Sequence, residues 1–240
     1  MKHIRPITLR VIRDSLSLAA SGCTFEEFRS KASFTENRAR EVVFQLVNMG
    51  LLSIRDDELF LTDTGRALLK AFERESFEEI HEILLKYEPY RMLYHLLKRK
   101  KCTYAQIFEQ TGFNPVIVDT LVRLMQKAGV NVVKDDKGYF YIERSEDEVE
   151  YELFVDLLRK EYRSLLKNSR YARYVEIPAL RRRMQKKLRI SALAFDNLFR
   201  KFVKEAVAKG FVTLSPAPKS VMRGRGVIIS GRHYYFIYMR

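Results

Sequence analysis

The sequence has no tryptophan, two cysteines, four histidines, six prolines and ten glycines in 240 residues. Cys23 and Cys102 form no CxxC pair, so they are read as reduced, partly buried thiols rather than a disulfide or metal site. His3, His81, His95 and His233 are scattered, and His81-Glu82 lacks the second histidine of an HExxH zinc motif. There is no Walker-type glycine loop and no GxSxG elbow. The carboxylates fall at caps, turns and boundaries. No catalytic constellation, metal site or cofactor is therefore expected, and the chain is not read as a self-contained enzyme. No apolar run approaches the roughly 20 residues of a spanning helix, and no secretory leader precedes Ile7. The expectation is a cytoplasmic protein without a membrane partner, nucleoid-associated if its source is prokaryotic.

What is present is a repeat. Hydrophobic residues make up 47% of the chain, which is ordinary for a folded globular protein. Three segments, Leu46–Ile54, Leu124–Val133 and Ala206–Leu214, each join an apolar-faced helix through a glycine to a short strand. Those glycines, Gly50, Gly129 and Gly210, stand 79 and 81 residues apart. The first two copies align without a gap over about forty residues, Thr24 with Thr103 and Phe34 with Phe113, a length that marks whole small domains rather than solenoid units. The fold expected is mainly α with small β-hairpins (α+β), in three tandem domains: 1–75, 76–145 with a connecting helix at Ser76–Lys86, and 146–240.

In the first copy, helices are expected over Ile7–Ala20, Phe25–Ser30 and Glu36–Met49, the second opened by a capping box of Thr24 and Glu27. The third buries Ala39, Val42, Val43 and Leu46 and turns Asn37, Arg38, Glu41, Gln45 and Asn48 outward. A hairpin, Leu51–Ile54 and Leu59–Leu61, leads into a helix capped by Thr62 or Asp63. The second copy repeats this order with Thr103 as a cap, Asn114-Pro115 opening helix Val116–Ala128, and a hairpin of Val130–Lys134 and Tyr139–Glu143. The third has helices Val149–Lys167, Pro178–Leu188 and Ser191–Lys209, a strand Phe211–Leu214, and a hairpin of Val227–Ile229 with Tyr234–Met239. The long Val149–Lys167 helix is either the first helix of this copy or a dimerisation surface. Tyr171 and Tyr174 either stack on exposed bases or pack against the fold.

The stretch "MGLLSI…LFLTDTGRALL" resembles the end of the winged-helix domain in many bacterial and archaeal transcription regulators. There a wing strand runs into a Leu-Thr-x-x-Gly-Arg turn and helix. The resemblance implies three tandem winged helices, with base-reading positions of the first copy at Asn37, Arg38 and Glu41. Glu36 and Glu41 dilute the positive potential at that helix, so a strong DNA contact is not expected of it. The outward face of Val116–Ala128 is a poor phosphate binder too, so the second copy is read as a spacer or protein contact, and a protein partner is possible through both of the first two copies.

Charge separates the third copy from the others. Residues 1–149 hold 23 Lys+Arg and 23 Asp+Glu, whereas residues 150–240 hold 21 and 7, which is the whole formal charge of +14. A cationic domain joined to a neutral pair implies a polyanionic partner. The residues expected to meet duplex DNA are Arg181, Arg182, Arg183, Lys186 and Lys187 on one helix, and Asn197, Arg200, Lys201 and Lys204 on the next. Lys219, Arg223, Arg225 and Arg232 follow in the wing. Asn and Arg have the geometry to read A and G edges, while lysines suit phosphates. The glycines of "RGRG" allow close approach to an A·T-rich minor groove or simply make a flexible loop. The expected function is a DNA-binding transcription regulator or a replication or mobile-element factor. The competing classes are a winged-helix scaffold or protein-interaction subunit of a nucleic-acid-processing complex, and an RNA-binding protein.

Overall fold

A computed structural model describes residues 7–169, 171, 173–217 and 224–240. The chain is a mixed α+β protein with small antiparallel sheets, divided into two compact units, 1–142 and 143–240. Among the described residues, no helix is long and apolar enough to cross a membrane.

The first unit begins with helix α1 (Leu9–Leu18), strand β1 (Cys23–Thr24), α2 (Phe25–Lys31), α3 (Glu36–Asn48), β2 (Leu52–Arg55), β3 (Glu58–Leu61) and α4 (Asp63–Glu73). After α5 (Phe77–Leu84) the pattern returns as α6 (Glu88–Arg99), α7 (Tyr104–Thr111), α8 (Pro115–Lys127), β4 (Val132–Lys134) and β5 (Phe140–Ile142). The second unit runs α9 (Tyr151–Leu166), β6 (Val175–Glu176), α10 (Ile177–Leu188), α11 (Ala192–Ala208), β7 (Val212–Ser215), β8 (Val227–Ile229), β9 (Arg232–Tyr234) and β10 (Phe236–Met239).

The three copies are stopped by one local device. After α3, α8 and α11 the chain enters the left-handed region at Gly50, Gly129 and Gly210, with φ of 69°, 82° and 69°. In each, the N–H three places past the last helical residue bonds back to a carbonyl five residues earlier: Leu51 to Leu46, Val130 to Met125 and Phe211 to Ala206, at 2.9–3.0 Å. This satisfies carbonyls that a helix end leaves open, and only glycine holds that backbone without strain.

Sheet order is shared as well. In the first copy it is β1-β3-β2, and in the third β6-β10-β7. A short strand lying before the second helix of each copy therefore forms one edge, and the last strand lies in the middle. In the second copy that edge strand is reduced to a single bridge, Cys102 to Phe140, with N···O distances of 3.0 and 2.8 Å.

The first two copies share one continuous core, from Ile12, Leu16 and Phe28 through Leu68 and Tyr90 to Leu121 and Met125. Gln45 belongs to this core, not to the outer face of α3 where its register had placed it. It is 1% exposed, and its amide donates to the hydroxyl of Tyr87 at 2.8 Å. Thr62, not Asp63, caps α4. Its hydroxyl accepts from the Gly65 N–H at 3.0 Å and donates to the Gly50 carbonyl at 2.6 Å. The Leu-Thr-x-x-Gly-Arg segment thus ties the glycine that ends α3 to the first turn of α4. Arg66 closes the arrangement by donating to the Leu61 carbonyl at 2.8 Å.

Candidate functional site

The cationic residues gather on α10, α11 and the β8–β9 hairpin of the second unit. Helix α10 ends at Arg189, a non-glycine residue held at φ 57°, and Ser191 caps α11 by accepting from the Ala194 N–H at 3.0 Å. Three residues thus separate two helices. Helix α11 turns Phe195, Leu198, Phe199, Phe202 and Ala206 into the core, with Phe195 and Phe199 stacked at 5.3 Å. That burial leaves Leu193, Lys201 and Lys204 outside.

The five cations of α10 separate into three sets, as a helix advancing about 100° per residue requires. Arg182 and Lys186, one turn apart, are exposed. Arg183 and Lys187 turn toward α9 and share the carboxylate of Glu161, whose side chain is only 4% exposed. Arg183 also donates to the Ser164 hydroxyl at 2.8 Å. Burial pushes the Glu161 carboxyl up, but the hydrogen bonds and charges of Lys187 and Arg183 together outweigh burial and hold it below the usual range.

Arg181 faces inward, contrary to its expected place at phosphate. It is 8% exposed. Its Nε and Nη2 donate to Asp196 Oδ1 at 2.9 and 2.6 Å, Nη2 also donates to the Gly226 carbonyl at 2.8 Å, and Nη1 donates to the Arg225 carbonyl. One guanidinium therefore joins α10, α11 and the root of the hairpin. Gly226 belongs to this root. A Cβ there would lie 2.1 Å from the Tyr234 carbonyl oxygen, so the glycine is needed for close packing rather than for a flexible loop.

Asn197 and Arg200 are half-buried. Arg200 donates from Nε to the Ile228 carbonyl at 3.0 Å and from Nη1 to Asn197 Oδ1 at 2.9 Å. These contacts set the outer face of α11 beside the hairpin. Lys201 lies over the Tyr151 ring at 4.1 Å, and Lys204 is exposed. Arg225 and Arg232 are exposed on the hairpin, whereas Lys219 and Arg223 lie outside the described residues.

The hairpin differs from the one read in the sequence. β8 pairs with Arg232–Tyr234, and β10 leaves to pair with β7 and β6. Its two-residue turn, Ser230-Gly231, has φ of 48° and 77°, as a turn matched to strand twist requires. Sequence reasoning also missed Asp196 and Glu161, whose chain positions give no sign of the cations they hold. Tyr171 and Tyr174 pack on Phe236, with ring centroids 4.7 and 6.4 Å away. Among the described residues, no group of three His, Cys, Asp or Glu side chains could hold a metal.

No protein-family model and no curated protein matches the chain.

Proposed function

We propose that the chain carries three tandem winged helices and binds duplex DNA through the third, as a transcription regulator or a replication or mobile-element factor. The observation that carries this reading is the concentration of exposed cations, Arg182, Lys186, Lys201, Lys204, Arg225 and Arg232, on a helix–turn–helix and its hairpin. Supporting it, the β8–β9 hairpin is held beside the lysine-exposing α11 by the bonds from Arg200 to the Ile228 carbonyl and from Arg181 to the Gly226 carbonyl. In such an arrangement α11 enters the major groove, and the hairpin arginines reach the adjacent backbone or minor groove. Arg182 and Lys186 anchor phosphates, which fix position and carry little sequence information. Arg181, Arg183 and Lys187 hold the domain together instead.

The first copy fits a protein partner better than DNA. Its α3, equivalent to α11, leaves Phe44 and Val47 exposed one turn apart, 53% and 37%, and pairs Arg40 with Glu36. An apolar, internally neutralised face has no phosphate to seek.

Salt titration of the full chain on duplex DNA, double-stranded RNA and single-stranded DNA tests the reading. Replacing Arg182, Lys186, Lys201 and Lys204 together by alanine should lower the log–log salt slope on duplex DNA by up to about 3.6, at roughly 0.9 per phosphate lost. An unchanged slope, or stronger binding to either other nucleic acid, would remove duplex DNA as the partner.

A further inference from the structure

DNA contact leaves one side of α9 without a role. That side lines a cleft of about 770 Å³, whose opposite wall is the end of α11 with Phe211, Val212 and the end of β10. Glu152, Asp156, Arg159 and Arg163 all face it, spaced four, three and four residues apart and therefore stacked on one face of the helix. All four are exposed, and none forms an ion pair among the described residues. Between them the stripe is apolar, with Val155, Tyr162 and Leu166. Across the cleft Phe211 leaves 56% of its surface open.

Within a single helix this order gains little, since Asp156 and Arg159, three residues apart, make its one favourable neighbour pair. Glu152 and Asp156 are like charges one turn apart, and so are Arg159 and Arg163. The helix dipole favours an acid in the first turn and a base in the last, which accounts for Glu152 and Arg163. Its effect fades within those turns and does not reach Asp156 or Arg159, in the middle of 16 residues.

Reversed, the stripe is its own complement. About a two-fold axis crossing α9 between Leu157 and Leu158, Glu152 falls opposite Arg163 and Asp156 opposite Arg159 of an antiparallel second helix. Each ion pair occurs twice, and the like-charge neighbours within each helix are neutralised together. A parallel pairing would set acid against acid and base against base. We propose that this face is a homodimer interface, in which two copies of the chain pair α9 antiparallel to α9 and each helix enters the other's cleft. A two-fold interface must be self-complementary, and this charge order meets that requirement without any other partner. The 16-residue helix is about 24 Å long. Its stripe alone falls short of the roughly 800 Å² per partner of a stable interface, so the cleft walls, where Phe211 and Val212 lie beside Glu205, Lys209 and Arg240, must be covered too.

Sedimentation equilibrium on the full chain, without nucleic acid, tests this with two double variants, E152R/D156R and R159E/R163E. The substituted side chains are exposed, and far-UV circular dichroism checks that each variant keeps its helix content. The wild type should be dimeric. Each variant alone should dimerise at least about a hundredfold more weakly, because like charges then meet across the interface. An equimolar mixture of the two should recover a dimer containing one of each, since every reversed charge again meets its opposite. A monomeric wild type, variants that dimerise as the wild type does, or a mixture that stays monomeric would each overturn the proposal.

Discussion

At the scale of single residues, Arg181 shows how a helix position can mislead. Three arginines in a row on α10 present the same chemistry in sequence, and only their angles around the helix separate them. Arg182 meets solvent, Arg183 meets Glu161, and Arg181 meets Asp196 and two carbonyls of the hairpin root. Arg181→Ala should therefore cost about 3–5 kcal/mol of stability, because it leaves a carboxylate and two carbonyls without their donor. Arg182→Ala should leave stability within about 0.5 kcal/mol. Chemical denaturation of the two variants separates the roles. Gln45 teaches the same lesson from the other side, since a polar side chain on a helix reads as outward until its partner is known. Tyr87, 42 residues away, is one such partner. Capping was legible because it is local: the Thr24 capping box and the Thr103 and Asn114 caps each act over three residues. Ion pairs and amide bonds between distant helices leave no comparable trace in spacing.

At the scale of elements, helices and their stops follow from apolar period and glycine position, and observed bounds lie within a few residues of those expected. The strands near residue 234 were harder. Tyr234–Met239 reads as one apolar run, yet Tyr234 pairs with Val227, and Phe236 pairs with Ser215 and Glu176. The chain changes sheets at Tyr235, which is fully buried and bonds through its N–H to Ser215 and through its carbonyl to Ile177. Alternation of side chains cannot reveal such a change, because it reports burial and not the identity of the neighbouring strand. The glycine of the Leu-Thr-x-x-Gly-Arg turn gives a sharper test. Inside a helix, Gly→Ala normally gains about 1 kcal/mol through propensity. At Gly65 the added Cβ would lie 2.1 Å from the Leu51 carbonyl oxygen. Overpacking of that kind costs about 1–3 kcal/mol, so Gly65→Ala should destabilise the first unit, with a lowered denaturation midpoint as the readout.

At the scale of the whole molecule, the threefold repeat becomes two units, because the first two copies close around a single core while the third has its own. Repetition in sequence counts copies and does not count cores. Thermal unfolding should show two transitions. Tyr87→Phe removes the hydrogen bond between its hydroxyl and buried Gln45 and should cost about 0.5–1.5 kcal/mol. Because Gln45 lies in the first copy and Tyr87 opens the second, the variant should lower one transition as a whole without splitting it, and should leave the other in place. Differential scanning calorimetry reads both outcomes.

The sheet orders also bear on how the chain is made. In the first copy the middle strand, Glu58–Leu61, follows directly on its neighbour Leu52–Arg55, so the sheet closes almost as soon as it is synthesised. In the third copy the middle strand is Phe236–Met239, separated from Val212–Ser215 by the whole β8–β9 excursion. At about 5–20 residues per second, the ribosome leaves β6 without the shared partner for roughly three to thirteen seconds and β7 for roughly one to five. During that interval the basic unit has its three helices and no sheet to seat them, while the first unit is already free to fold.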